Sequence, residues 1–529
     1  MERWSPRREI GQDEAFILKL VAKKRKLFGF LRMHRHELFD DTFQEELESI
    51  YRTTGAGSEP RPPAFMCMVL LLQGYLRISD GDAVGLAVVD ARWQMVLDCI
   101  GCKKAPFSQG GLQRFRERLI ASDMDRRLLE RTVELAKKTK EFDWKKLPKD
   151  LRMAVDSRPL EGAGKVEDTI NLLGHAMRKA VEMASKVTDI PKEQICREAR
   201  THVLMMPSIK AGLDVDWNDA EQKAEAVVLL HAQMTSLCEW LDRKKLASED
   251  AVKPYRDALA QIQAQDLELG DDARMRIRRG VAEDRRVSIE DPEMRHGRKS
   301  KSKRFNGYKE HVAVDLDTSL ILACEVTPAN QPEEQATVRL QEDLDRHGKR
   351  IGELYIDRGY INSSQVDRVI EDGGEIFCKP WKLRNANADL YSKADFLINM
   401  RSKTITCPTG QTESFEPGQV VEFDPEVCGA CPFRGSCTHA ASGKGRTVKI
   451  GHDERLQHKL RKLQSAPAGR RKLRRRTPVE HSLARVAARK GPRARYRGSR
   501  KNLFDLRRTA TIGNLETIQR KREAAPIAA

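Results

Sequence analysis

Short strand-like segments recur between residues 148 and 379, and their order narrows the possible folds. Residues 151–156 alternate between apolar and polar side chains and end in an acid, Asp156, which is typical of a strand. The segments that follow residue 300 are a hairpin (308–316 and 319–326), a helix (332–344), a strand (353–357), a helix (363–372) and a strand (375–379). This order predicts an α/β fold with a sheet of mixed strand direction.

The other parts of the chain differ in character from this sheet. Residues 162–300 have mostly helical spacing and end in a basic loop at 295–304, so they read as a long helical insertion. The predicted organisation has an all-α N-terminal domain (1–145), a core in two parts (146–161 and 301–394), the insertion (162–300), a cysteine-rich module (395–450) and a basic C-terminal part of the core (451–529).

Several classes of protein are excluded by composition. The longest apolar run, residues 64–72, has nine residues, whereas a membrane-spanning helix needs roughly 20. The first residues lack the apolar core of a secretion signal. Eleven cysteines in 529 residues are too sparse for a disulfide scaffold. We therefore expect a cytoplasmic protein with reduced thiols.

Positive charge is concentrated near the C-terminus. Residues 451–510 contain 20 lysines and arginines against four acids, so they carry +16 of the net +18. Such a field attracts polyanions. A solvated basic tail is the alternative, but apolar residues such as Val479, Leu483 and Phe504 interrupt the run. The segment is thus predicted to fold and to contact the phosphates of a nucleic acid.

A second possible contact with DNA lies in residues 108–119. Ser108 is a predicted helix cap, and Leu112, Phe115 and Leu119 share one face. Gln113 and Arg114 would then point outward, as in a helix that reads DNA. An ordinary amphipathic helix is the alternative, and the pattern slightly favours it.

Two acids, Asp156 and Asp357, close predicted strands. If the two strands are neighbours, the carboxylates converge at one sheet edge and require a cation between them. Oxygen ligands of this kind suit Mg²⁺ or Mn²⁺, and two such ions would promote phosphoryl transfer. Either aspartate alone is more simply read as a turn residue. Asp315 and Asp317 are rivals, but they lie at a predicted hairpin tip.

Glu480 is the candidate for the third acid of such a site. Thr477 is a predicted N-cap, Pro478 suits the first helical position, and Glu480 then falls where a capping box needs it. A capping glutamate is therefore the structural alternative to a metal ligand. The neighbouring Arg474, Arg475 and Arg476 would lie where phosphates approach.

Three blocks together resemble the catalytic blocks of DDE transposases of bacterial insertion sequences. They are residues 155–157, residues 356–360 and the pair Arg476 and Glu480. Segments 156–164, 307–315 and 495–502 resemble the same group, as does the helical region 40–125. Two positions depart from it, because Leu473 and Ala487 stand where related proteins often have tyrosine and lysine.

The resemblance implies an RNase H-like domain that is split by the helical insertion. Asp156 would lie on its first strand, Asp357 on its fourth and Glu480 on a later helix. The implied reaction is metal-dependent cleavage of DNA at the ends of a mobile element, followed by attack of the freed 3′-hydroxyl on target DNA, with a homodimer on DNA as the implied assembly. The candidate DNA contacts are Arg474, Arg475, Arg476, Arg485, Arg495, Arg497, Lys501, Gln113 and Arg114.

The cysteine-rich module contains a candidate zinc site. Cys428 and Cys431 form a C-x-x-C pair, with Cys407 before it and Cys437 after it. Four thiolates can close a tetrahedral structural zinc site, and His439 could replace Cys437. Free thiols in a loop are the alternative. Residues 395–450 have few apolar side chains, and a bound metal would help them to fold.

Three functions share these features. The first is a transposase that uses Asp156, Asp357 and Glu480. The second is a catalytically silent DNA-binding protein derived from such a fold, and the third is a two-metal DNA nuclease. The presence of all three acids favours the transposase.

Overall fold

The computed structural model describes residues 2–51, 59–139, 142, 145–300, 302–383 and 390–524. The N-terminal part is helical, as predicted. Its helices are α1 (Gln12–Val21), α2 (Leu27–Leu38), α3 (Asp41–Glu48), α4 (Pro63–Leu76), α5 (Asp80–Val89), α6 (Ala91–Leu97), α7 (Gln109–Ala121) and α8 (Met124–Lys138). Ser108 caps α7 by accepting a hydrogen bond from the Gly111 N–H, as the sequence indicates.

The insertion between the two parts of the core has its own hydrophobic cluster. Among its residues, Leu173, Leu237 and Leu259 are fully buried on three different helices. The insertion follows the first core strand, β1 (Leu151–Glu161), and its elements are α9 (Thr169–Thr188), α10 (Lys192–Glu198), α11 (Ile209–Leu213), α12 (Ala220–Arg243), α13 (Lys253–Asp266), β2 (Leu267–Leu269) and β3 (Met275–Ile277).

The predicted basic loop at 295–304 is partly a strand, so that expectation was wrong. Residues 295–298 pair with residues 304–307, and the Lys299 N–H donates a hydrogen bond to the Lys303 carbonyl oxygen just beyond the paired residues. Strand β4 (Arg295–Arg298) ends the insertion, and the second part of the core consists of β5 (Arg304–Asp315), β6 (Ile321–Pro328), α14 (Ala336–Asp345), β7 (Ile351–Tyr355), α15 (Ser364–Glu371) and β8 (Glu375–Phe377).

The central sheet runs in the order β6, β5, β1, β7, β8, and β4 extends the β6 side. Strand β5 is antiparallel to β1 and β6, whereas β1, β7 and β8 are parallel. If β2 to β4 are assigned to the insertion, Asp156 lies on the first core strand and Asp357 follows the fourth. The predicted mixed α/β fold with a helical N-terminal region is therefore confirmed.

The two strands next to the aspartates end at other residues than the sequence predicts. Strand β1 continues for five residues beyond Asp156 because β5 pairs with it as far as Glu161. Strand β7 ends at Tyr355, so Asp357 lies in the connection that follows it rather than within the strand. Both aspartates nevertheless remain near the edge where the β1–β7 pairing stops.

Helices from the N-terminal and C-terminal parts of the chain cover the two faces of the sheet. Met153 and Val155 of β1 pack with the N-terminal helices, while Ala154 packs with Val479 and Leu483 on the opposite face. The remaining elements are β9 (Leu397–Asn399), β10 (Thr404–Thr406), β11 (Thr412–Ser414), β12 (Val420–Glu422), α16 (Pro425–Ala430), α17 (Arg434–Cys437), β13 (Thr447–Lys449), α18 (Glu454–Ser465), α19 (Pro467–Leu473), α20 (Thr477–Lys490) and α21 (Ser499–Ala524).

Within the described ranges, no helix combines the length and the apolar character that crossing a membrane requires.

Candidate active site

Asp156 and Asp357 lie side by side because their strands are parallel neighbours. The β1–β7 pairing ends at Ala154 and Tyr355, and each aspartate lies two residues beyond its strand's last paired residue. The Asp156 side chain is 14% exposed and the Asp357 side chain is 52% exposed. The two carboxylates therefore share one sheet edge, as the sequence predicts. The Asp156 carboxylate is mostly buried, whereas the Asp357 carboxylate is open to solvent.

Helix α20 brings Glu480 to the same edge. Val479, Leu483 and Val486 are buried against the sheet, and this contact fixes the helix. Glu480, in the first turn, then lines one groove together with Asp156 and Asp357. Three carboxylates from distant parts of the chain thus meet in space.

The predicted capping box at Thr477 was wrong. Arg474–Arg476 form a 3₁₀ turn that runs directly into α20, so Thr477 has helical dihedral angles instead of those of an N-cap. Its hydroxyl donates a hydrogen bond to the Arg474 carbonyl oxygen. Glu480 is consequently free of a capping role and accepts a hydrogen bond from Arg476 Nη2 at 3.0 Å.

The Arg476 guanidinium lies among the three carboxylates. Its Nη1 is 2.7 Å from Asp357 Oδ1, and its Nη2 is 3.8 Å from Asp156 Oδ2 and 3.0 Å from Glu480 Oε1. A single positive charge therefore lies among three negative ones. Among the described residues, no three histidine, cysteine or acidic side chains form a group that could hold a metal ion. At this edge the guanidinium stands between the acids.

Burial raises the pKa of Asp156 to about 6, although Arg476 and the Ser157 N–H act in the opposite direction. Asp357 and Glu333 raise it further through their negative charge. A carboxylate that resists ionisation in the folded protein is a common feature of functional sites.

This shift predicts that Asp156→Asn stabilises the protein when no divalent cation is present. Because the folded-state pKa lies above the unfolded value, the stability that protonated Asp156 provides is lost as pH rises from about 4 through 6. We expect Asp156→Asn to raise the free energy of unfolding by about 3 kcal/mol at pH 8 and by about half as much at pH 5. Chemical denaturation at both pH values in EDTA measures the free energy of unfolding of the variant and the wild type. A gain in stability that is the same at pH 5 and pH 8 would contradict the raised pKa of Asp156.

Five basic side chains line the same groove, and none of them is among the DNA contacts predicted from the sequence. They approach from the β4–β5 hairpin, from β5 and from the connections that follow β7 and β8. They are Arg298, Lys299, Lys309, Arg358 and Lys379. The basic loop at 295–304 and the segments at 307–315 and 356–360 were the signals that could have identified four of them.

The predicted DNA contacts are spread over several surfaces. All of them except the half-buried Arg476 are exposed, namely Arg474, Arg475, Arg485, Arg495, Arg497, Lys501, Gln113 and Arg114. Several also have protein partners: Gln113 donates to Glu117, Arg485 donates to Ser482, Arg495 donates to the Ile78 carbonyl oxygen and Arg497 pairs with Glu290. Arg476 faces the carboxylates. The predicted residues thus do not form one patch, although the 3₁₀ turn beside Glu480 adjoins the groove.

The four predicted zinc ligands line one cavity in the cysteine-rich segment. Cys407 follows β10, Cys428 lies on α16, Cys431 follows that helix and Cys437 ends α17. The segment also has a small core of its own, with Ile405, Phe423 and Val448 among its buried residues. The expectation that it has too few apolar side chains to hold together was therefore wrong.

The mixed α/β fold thus brings three acids and an arginine to one edge of its sheet. Residues 276–515 match the family described as "Transposase DDE domain". The match covers 240 of the 529 residues and confirms the resemblance to DDE transposases seen in the sequence. The match includes Asp357 and Glu480, while Asp156 lies before it. No curated protein and no solved structure matches the chain significantly.

Proposed function

We propose that this protein cleaves DNA at the ends of an insertion sequence and joins the freed ends to target DNA. Asp156, Asp357 and Glu480 would bind two Mg²⁺ or Mn²⁺ ions and are the proposed catalytic residues. The observation that carries the proposal is their convergence around one guanidinium, although 201 and 123 residues separate them along the chain. The match to a transposase DDE domain supports the same activity.

The donor atoms fit a hard divalent cation. All three side chains offer only carboxylate oxygens, which Mg²⁺ and Mn²⁺ prefer. Arg476 supplies one positive charge against three negative ones, so the edge retains a negative excess that bound cations would balance. When bound, such ions polarise a phosphoryl oxygen and lower the pKa of water.

The protein side chains have separable roles in this proposal. Asp156 is fixed within a strand, whereas Asp357 and Glu480 are about half exposed and can adjust to a ligand. Arg476 would have to leave the carboxylates when cations bind. Its planar guanidinium would then be available to a DNA phosphate, which it can bind through two parallel hydrogen bonds.

The groove offers a path for the DNA backbone. Lys299, Lys379 and Arg298 are exposed along it, and the exposed Arg474 and Arg475 stand beside Glu480. These positive side chains would neutralise phosphates on both sides of the carboxylates. The remaining proposed contacts, Gln113, Arg114, Arg485, Arg495, Arg497 and Lys501, would bind other parts of the element's ends. We further propose a homodimer on DNA and a location in the cytoplasm, with association with the nucleoid.

A strand-cleavage and joining assay separates the three candidate functions. A transposase cleaves DNA that carries the element's terminal repeats and joins it to a second DNA when Mg²⁺ or Mn²⁺ is present. A two-metal nuclease would cleave without joining and without preference for the repeats. A silent DNA-binding protein would bind and leave the strands intact, and either of these two results would overturn the proposal.

We also propose that Cys407, Cys428, Cys431 and Cys437 bind one structural Zn²⁺. All four thiols line the same cavity. The pKa of Cys437 is raised by burial and by the nearby Cys428, Cys407 and Cys431, although Arg446 lowers it. Burial acts to raise the pKa of Cys407, but the Thr409 hydroxyl and the N–H groups of residues 409–411 bring it below its ordinary value. Such donors favour the thiolate that zinc requires.

Metal analysis of the purified protein tests the zinc site. We expect about one zinc per chain, and we expect Cys428→Ser combined with Cys431→Ser to remove it, because two of four ligands are lost. The other C-x-x-C pair provides the matched control: Cys99→Ser with Cys102→Ser is expected to retain the metal. Folded wild-type protein without zinc would contradict the assignment.

A further inference from the structure

A fourth acid, Glu333, lines the groove that contains Asp156, Asp357 and Glu480. It begins the 3₁₀ turn Glu333–Gln335, which connects β6 to α14. Within the described part of the chain, Arg476 forms ion pairs with the other three acids and not with Glu333. Glu333 therefore stands apart from the Arg476 cluster, and its side chain is directed elsewhere.

The first partner of Glu333 is Ser157. The Ser157 hydroxyl donates a hydrogen bond to Glu333 Oε1 at 2.5 Å. Ser157 directly follows Asp156, and its own N–H donates to Asp156 Oδ1 at 2.8 Å. A change at Glu333 would consequently alter a hydrogen bond of Ser157, the residue that directly follows Asp156.

The second partner is Gly359, two residues after Asp357. A Cβ atom at this glycine would collide with Glu333 Oε2. The backbone of Gly359 is not in the left-handed region, so a side chain here would not strain the backbone but would force the Glu333 carboxylate to move. Glu333 thus touches the segments that carry both aspartates.

Buried hydrogen bonds also hold the residue that follows Gly359. Burial raises the pKa of Tyr360 well above its ordinary value, and the nearby Glu333 carboxylate raises it further, while Ser157 acts in the opposite direction. His311 Nδ1 is 2.7 Å from the Tyr360 hydroxyl, and His311 Nε2 is 3.0 Å from Thr327 Oγ1. Tyr360 and His311 are fully buried. These hydrogen bonds therefore connect β5, β6 and the turn after β7, directly beside Gly359.

We propose that Glu333 is a positioning residue that sets the distance between Asp156 and Asp357 through Ser157 and Gly359. The inference rests on the proposed function, because the two aspartates are its proposed cation ligands. Productive geometry in such sites is strict, and a displacement of about 1 Å can cost about 100-fold in rate. A hydrogen bond to one ligand's neighbour and a packing contact near the other ligand can provide that precision.

Four variants test the role. Glu333→Ala and Ser157→Ala are each expected to lower kcat by about 10- to 100-fold, and the double variant is expected to be no worse than the poorer single variant. Glu333→Gln keeps an oxygen that can accept the Ser157 hydrogen bond, so it is expected to retain most of the activity. Glu334→Ala is the matched control, since this neighbouring acid does not line the groove, and wild-type activity is expected.

Mn²⁺ binding without DNA provides a second readout that a purely structural role would not change. Titration followed by electron paramagnetic resonance is expected to show affinity about tenfold weaker in Glu333→Ala than in the wild type and Glu334→Ala. Gly359→Ala should weaken binding similarly, because its methyl group displaces the carboxylate, and should add nothing when Glu333 is already alanine. Thermal unfolding midpoints close to wild type would show that these variants fold.

Two results would overturn the proposal. One is a Glu333→Ala variant with wild-type kcat and wild-type Mn²⁺ affinity, and the other is additive losses in Ser157→Ala and Glu333→Ala. A wild-type protein that binds Mn²⁺ but does not cleave DNA would instead count against the proposed function. The binding comparison would still decide the role of Glu333 in that case.

Discussion

Asp357→Asn is expected to reduce DNA strand cleavage by at least about 10³-fold, because losing a cation ligand removes several kcal/mol of transition-state stabilisation. DNA binding should be unchanged or tighter, since the substitution removes one negative charge from a groove lined by basic side chains. Asp156→Asn and Glu480→Gln should behave in the same way. Cleavage of a labelled DNA end with Mg²⁺, together with filter binding at matched salt, measures both quantities.

Asp367→Asn is the matched control for this experiment. Asp367 is an exposed acid on α15, ten residues beyond Asp357, and does not line the groove. Its substitution is expected to leave cleavage within about twofold of the wild type, as is usual for isolated surface changes. Cleavage by Asp357→Asn at a comparable rate would refute the assigned role of Asp357.

Glu310→Ala is expected to destabilise the protein by about 3–5 kcal/mol, because it removes a buried negative charge that two buried cations share. Glu310 on β5 is fully buried and pairs with Lys490 at 2.5 Å and with Arg158 at 2.5 Å. Lys490 also pairs with Asp505 of α21 at 3.1 Å. The network therefore ties α20, which positions Glu480, to the sheet and to the C-terminal helix.

Thermal unfolding compares this variant with Glu416→Ala. Glu416 pairs with Lys403 at 2.7 Å, but both side chains are more than half exposed, so this loss is expected to cost less than about 1 kcal/mol. The Glu310→Ala variant should unfold at a clearly lower temperature than Glu416→Ala. Equal unfolding midpoints for the two variants would contradict the claim that the buried network of Glu310 stabilises the fold more than an exposed ion pair does.

The sheet and the aspartates were predictable because they depend on local patterns. Alternating apolar residues mark β1, and apolar segments ending in acids mark the edge where Asp156 and Asp357 meet. The extent of β1 was not predictable, because Ser157 to Glu161 include a proline and polar residues that resemble a turn. Pairing with β5 extends the strand, and that pairing joins residues about 150 positions apart.

The contacts made by Arg476 and Glu333 could not be predicted from spacing. Arg476 reads as a phosphate ligand in a basic run, and its position among three acids depends on how α20 docks on the sheet. Glu333 reads as an acid that suits a helix N-terminus. Its contacts with Ser157 and Gly359 exist only because β1, β7 and the β6–α14 connection meet in the folded protein.

Anomalous diffraction from crystals soaked in Mn²⁺ tests the central claim most directly. We predict anomalous peaks for Mn²⁺ ions that the carboxylate oxygens of Asp156, Asp357 and Glu480 coordinate. The Arg476 guanidinium is expected to have moved away from all three side chains. Crystals that cleave soaked DNA in Mn²⁺ but show no manganese at these carboxylates would contradict it.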